Sequence, residues 1–208
     1  MALAITLTLT NIFQFISFMS PLLIVFFMIM LSIFNNSIVK GLIFVIGTVI
    51  ITFITYLLKN VLKSKQSDFA SPFCNVLPGP FTVGGQDGIF NSPSLSSAII
   101  GFTSSYLIFP MQVNNELNPS ILTFLLILMM VNGVVELQNK CTNVGGVVLG
   151  VLVGVIFGIL YYSLIVSSGH KDLVYFNSNI SNNVSCKKPG KQKFKCIAYH
   201  RGTKMKIS

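Results

Sequence analysis

Ser94, Ser96 and Ser97 stand in one short run, and each carries a hydroxyl that could attack an electrophile if a base took its proton. The acids placed to serve are Asp87 and Glu136. Lys59, Lys63 and Lys65 follow an apolar run and could hold an anion. The chain has two histidines, His170 and His200, and both come after the last long apolar run, so neither is placed to act as that base. Each of these residues also has a plainer role. Ser94 suits a helix N-cap, with Ser96 and Ser97 as small packing residues. Lys59 and Lys63 suit a helix end anchored at lipid head groups. Glu136 and Lys140 are four apart, the favourable order for an ion pair on one helix. Glu136 among apolar residues also marks a polar cavity, and Asn132 suits a hydrogen bond across helices.

The elements that must hold these residues are set by hydropathy. Of 208 residues, 52% are hydrophobic and 9% charged, and the mean hydropathy is +0.77. Soluble domains carry roughly 25% charged residues, so the class is an all-α polytopic membrane protein. The apolar runs predict five transmembrane helices: Ile12 to Phe34 with a kink at Pro21, Ile38 to Leu58, Ser94 to Val113, Ser120 to Gln138, and Asn143 to Ser167. Residues 2–10 alternate Leu or Ile with Thr and read as an interfacial lead-in. The first run is too long for a secretory core and lacks a charged leader, so it is not read as a cleaved signal. Gln66 to Pro93 is rich in Pro and Gly and reads as a loop. Four cysteines are too few for a disulfide scaffold.

The last run reads as the central helix of the bundle. Gly146, Gly150, Gly154 and Gly158 recur every four residues and line one edge. Such an edge lets backbones approach closely, which is how helices associate in lipid. Val148, Leu152, Val155 and Ile159 on the other face can meet lipid. Five spans put Lys59 to Pro93 and Asn139 to Asn143 on one membrane face and the residues after Gly169 on the other. Lys lies on both faces, so charge leaves the orientation open. The domains are then a bundle over 1–168 and a basic tail over 169–208, with a small β-hairpin near its end.

Three segments on that first face carry a family likeness. Lys59 with Gln66-Ser67, Pro93-Ser94-Leu95-Ser96, and Glu136 with Thr142 and Gly146 stand at the spacing of K-x6-R-P, P-S-G-H and S-R-x5-H-x3-D. In this the chain resembles the type-2 phosphatidic acid phosphatase superfamily, which includes lipid-phosphate phosphatases and dolichyl-diphosphatases. The likeness covers about 38–166 and includes the helix glycines Gly150 and Gly154. It implies a phosphatase-like bundle. In that family one histidine attacks phosphorus, and a second, held by an aspartate, activates the nucleophile. The lysine and arginines hold the phosphoryl oxygens, and such groups typically carry about 10²–10³ in rate each. Here Gln66, Ser96, Glu136, Thr142 and Gly146 replace the charged or histidine positions, and Lys59 alone is kept. The resemblance therefore implies a pseudoenzyme, with no catalytic residue, metal or cofactor.

The tail holds nine Lys and Arg against Asp172. Its Lys187, Lys188, Lys191, Lys193, Lys195 and Arg201 form the partner-binding patch, suited to anionic head groups or an acidic protein surface. Few aromatics interleave, so no specific nucleic acid is expected. Cys186 and Cys196 flank that patch. A disulfide, zinc held with His200, and free thiols are the alternatives there. The run C-K-K-P-G-K-Q-K-F-K-C-I-A-Y-H-R-G is similar to tails on membrane proteins of large DNA viruses with an internal lipid layer. The expected function is a non-catalytic structural protein of a virion internal membrane or host endomembrane. It would contact membrane lipids and join them to capsid or other virion proteins through the tail. The alternatives are a divergent lipid-phosphate or pyrophosphate phosphatase, and a pore or transporter drawing on Glu136, Asn132 and the third-span serines.

Overall fold

Inside lipid a chain must satisfy its own backbone, and helices do so locally. The computed structural model describes residues 8–75, 83–85, 88–114, 117–170, 173–175, 198–200 and 203–205. The tail positions Lys187, Lys188, Lys191, Lys193, Lys195 and Arg201, and both Cys186 and Cys196, lie outside the described residues. Among the described residues five α-helices are formed: α1 (Leu9–Phe34), α2 (Ile38–Leu62), α3 (Leu95–Val113), α4 (Pro119–Gln138) and α5 (Val144–Ser167). Four of them, all but α3, are long and apolar enough to cross a membrane. Residues 1–177 form one compact unit and 178–208 another. In the second, Ala198–His200 pairs antiparallel with Thr203–Met205.

Local chemistry sets the helix ends. The Thr8 hydroxyl accepts from Asn11 N–H at the start of α1, Asn118 accepts from Ser120 and Ile121 at α4, and Asn143 accepts from Gly146 at α5. Pro21 lacks the N–H that the Ser17 carbonyl would receive. The Ser20 hydroxyl donates to that carbonyl instead, at 2.7 Å. Between α1 and α2 the turn is tight. The Gly41 N–H donates to Ser32 Oγ at 2.8 Å, and a Cβ at Gly41 would lie 2.7 Å from Ser32 Cβ. Along α2 the hydroxyls of Thr48, Thr52 and Thr55 each donate back to the carbonyl four residues earlier, so none is left bare in the bundle.

The centre of the bundle is α3, where the glycine pattern predicts α5. From Leu95 to Leu107 only Ser96 is not fully buried, and α3 contacts α1, α2, α4 and α5. The glycine edge of α5 is real, but it serves to reach α3. A Cβ at Gly154 would collide with the Ala98 carbonyl, and one at Gly150 would lie 2.5 Å from the Ser94 carbonyl. Gly101 returns the favour, since a Cβ there would lie 2.8 Å from the Val151 carbonyl. Leu152, Ile156, Leu160 and Leu164 on the far side of α5 are exposed, as lipid-facing residues would be. The small and hydroxyl side chains of α3 are what allow it to be surrounded; they also lower its hydropathy. Beside the seam, Phe44, Phe102, Tyr106, Phe157 and Tyr161 form a cluster of rings with centroids 5.5–6.0 Å apart. Such pairs add about 0.5–1.5 kcal/mol each beyond area burial.

Two connections cap one end of the bundle. In the α2–α3 connection, β1 (Val83–Gly85) pairs antiparallel with β2 (Gly88–Phe90), and Pro72–Asn75 forms a single 3₁₀ turn. The Gln66 N–H donates to the Ile89 carbonyl at 2.8 Å, and the Asn91 N–H to the Ser64 carbonyl at 2.9 Å. The α4–α5 turn comes up beside them, where Ser71 N–H donates to the Asn139 carbonyl at 3.0 Å. A disulfide joins Cys74 to Cys141 across the two connections, with Cα atoms 5.3 Å apart.

Candidate functional site

The N-terminus of α3 and the last turn of α4 meet at this capped end. Ser94 is the N-cap of α3: its hydroxyl accepts from the Ser97 N–H at 3.2 Å. Its own N–H donates to the Gly146 carbonyl at 2.9 Å, so the close approach of α5 fixes where α3 begins. Glu136, 5% exposed, points into this start from α4. Its carboxylate accepts from the hydroxyls of Ser94 (2.8 Å), Ser97 (3.2 Å) and Ser96. The chain of bonds runs on into the bundle. Asn132 Nδ2 donates to Ser97 Oγ at 3.2 Å, and Ser17 Oγ of α1 donates to Asn132 Oδ1 at 3.0 Å. Three helices, α1, α3 and α4, are thereby tied through one buried carboxylate and one buried amide.

Lys59 in the last turn of α2 is also 5% exposed and faces the same small volume as Glu136. A cavity of about 80 Å³ opens among these groups, large enough for a few waters. Lys59, Gln66, Ser96, Glu136 and Thr142 all line it. Three separate sequence segments thus converge on one small volume. Gly146 lies behind it, where a Cβ would strike the Thr142 hydroxyl. Thr142 Oγ1 donates to the Asn91 carbonyl at 3.0 Å. Gln66 Nε2 donates to the Cys141 carbonyl at 3.3 Å and its Oε1 accepts from Asn75 at 3.2 Å. Both side chains therefore brace the connections around the cavity.

Two expectations are corrected here. Glu136 and Lys140 do not share a helix face, because α4 ends at Gln138 and Lys140 has a left-handed φ of 54°. The Lys140 ammonium lies 5.2 Å over the Phe69 ring, and the Glu136 carboxylate faces the serines. Lys59 is no head-group anchor either. It is buried under the connection that follows it, while Lys63, which caps α2 at a φ of 47°, is exposed.

His170 follows the far end of α5. At about 1.5 Å per residue the 24-residue helix separates it from the cavity by roughly 35 Å. Among the described residues, no three His, Cys, Asp or Glu converge as a metal site would require. Serine reasoning missed Ser17, Asn91 and the disulfide pair. The cysteine pair had a signal: Cys74 and Cys141 fall in two segments that the five-span topology places on one face. Ser17 had none, since a serine three residues before another in an apolar run looks like packing. Searches of protein-family models, curated proteins and solved structures found no match to this chain.

Proposed function

We propose that this chain is a non-catalytic, five-span membrane protein, built like the lipid-phosphate phosphatases with its anion site filled from within. One observation carries the reading: Glu136 takes the hydroxyls of Ser94, Ser96 and Ser97 and faces Lys59. These are the donors and the cation that a phosphoryl group would need. A carboxylate at that position occupies them and repels a phosphate dianion. The bundle then anchors and the basic tail acts. In this reading the protein is a structural component of a virion internal membrane or host endomembrane, joining lipid to an acidic protein shell through Lys187 to Arg201. Deleting residues 186–208 should release the partner while the bundle stays folded in detergent; retained co-purification sinks the reading.

A second reading has its own observation. Ser96 donates to Glu136 beside Lys59 in an open cavity, the pairing of nucleophile and base that a divergent phosphatase would use. Purified protein incubated with phosphatidic acid and isoprenyl diphosphate decides between them. No phosphate release is expected. Release that Ser96→Ala abolishes would establish the enzyme. A pore is disfavoured, because rings of Phe44, Phe102, Tyr106 and Tyr161 fill the interior beyond the polar cluster.

A further inference from the structure

We infer that the end of the bundle bearing the Cys74–Cys141 bond is extracytoplasmic, and that the chain leaves α5 on the reducing, cytoplasmic side. This rests on the five-span reading above and adds to it the side on which the tail finds its partner. Disulfides form and persist in oxidising compartments and are reduced in the cytosol. The bond here is part of the fold. The Ser71–Asn139 backbone hydrogen bond and the Gln66 side chain bring the two connections together beside it. Both cysteines also line the cavity, so the bond closes the site's rim.

The helix ends fix the rest by parity. Gln14, near the start of α1, donates to Asn139 Oδ1 at 3.2 Å, so α1 begins at the disulfide end. The Asn35–Ser37 turn, the α3–α4 connection and the end of α5 then lie opposite. Charge agrees with this assignment. Lys59, Lys63, Lys65 and Lys140 belong to the disulfide end, Lys59 being buried and Lys140 laid over Phe69. Lys40 belongs to the other, where the chain also leaves α5 toward the nine Lys and Arg that follow Gly169 in sequence. Cytoplasmic loops carry the excess of Lys and Arg in membrane proteins. Sequence alone left this open because Lys lies on both faces; the disulfide breaks the tie. The tail's partner is therefore an acidic protein surface in the cytoplasmic compartment. Cys186 and Cys196 stay thiols there, and two glycosylation sequons of the tail, Asn179-Ile-Ser and Asn183-Val-Ser, stay unmodified.

The test uses the full chain synthesised into sealed endoplasmic-reticulum microsomes. A glycosylation cassette inserted between Gly79 and Pro80 should gain one glycan, while Asn179 and Asn183 gain none. Trypsin added outside should trim the tail of the unaltered chain. In a Cys186→Ser/Cys196→Ser background, a maleimide-polyethylene glycol tag should add nothing before reduction and two tags after it. The native sequons and the trypsin arm need no insertion, so a cassette that disturbs folding does not blunt the test. A protected, glycosylated tail with an unmodified cassette overturns the orientation and leaves five spans standing. Tail and cassette on the same side overturn the five-span count and the inference with it. Two tags before reduction remove the bond on which the inference stands.

Discussion

Replacing Gly154 by alanine is the sharpest test of the α3–α5 seam. Helix propensity alone favours the alanine by about 1 kcal/mol, because glycine loses more conformational freedom on folding. In the seam, however, the new Cβ would overlap the Ala98 carbonyl oxygen, lie 2.7 Å from Phe102 N and 3.0 Å from Ala98 C. All three are backbone atoms of a buried helix, so no side chain can swing aside. The helices must part, by about 1 Å, to restore ordinary contacts of ~3.5 Å. That movement stretches the 2.9 Å Ser94–Gly146 hydrogen bond toward breaking and loosens the start of α3. Overpacking costs about 1–3 kcal/mol and a weakened hydrogen bond about 1 kcal/mol. After the propensity gain the net loss is about 2 kcal/mol, a factor of about 30 in the folded-to-unfolded ratio. Gly145→Ala is the control, since its Cβ meets only Asn143 Oδ1 at an ordinary 3.5 Å. Both variants can be titrated with SDS in mixed micelles and read by pulse proteolysis. Gly145→Ala, which keeps the propensity gain and meets no clash, should be at least as resistant as the parent, and Gly154→Ala should unfold at lower SDS. A Gly154→Ala protein as resistant as the parent would refute the backbone contact.

The same assay serves three further tests. Lys59→Met and Glu136→Leu should each cost about 3–5 kcal/mol, because each strands the opposite charge in the bundle; the double variant should cost less than their sum, and strict additivity would disprove the coupling. Cys74→Ser/Cys141→Ser removes a link spanning 67 residues, worth up to about 4 kcal/mol by loop entropy and less if helices persist in the unfolded chain. That variant should match the parent treated with dithiothreitol, and a parent indifferent to reductant would show that the link carries no stability. Asn132→Leu cuts the connection from Ser17 to Ser97 and should cost about 1–2 kcal/mol, the range for polar contacts between membrane helices; unchanged resistance would mean that Ser17 and Ser97 find other partners.

Hydropathy and cap residues place all five helices to within a few residues, because in lipid both are local properties. Asn143, Asn118 and Ser94 stand where their caps form. The glycine edge is equally local, being one residue type at one spacing. What it cannot carry is rank. A glycine-lined helix is a good neighbour to one helix, whereas a centre must accept several, and α3 does so with scattered Ser, Thr, Ala and Gly that make no clean pattern. The Glu136–Lys140 spacing misleads because the ion-pair rule assumes a helix that continues, and α4 stops two residues short of Lys140. The carboxylate's true partners lie some 40 residues away in sequence. The span count places the two cysteines on one face, but the bond depends on a tertiary approach of two connections that spacing along the chain does not specify.

The burial of α3 has a consequence for biogenesis. A helix that carries Ser97, Thr103, Ser104 and Ser105 and is the least apolar of the five enters a bilayer poorly when unaccompanied. Its closest companion, α5, is synthesised last, after the whole of α4. On the five-span reading proposed above, α3 is expected to settle in the bilayer only once the glycine edge of α5 has been made to receive it.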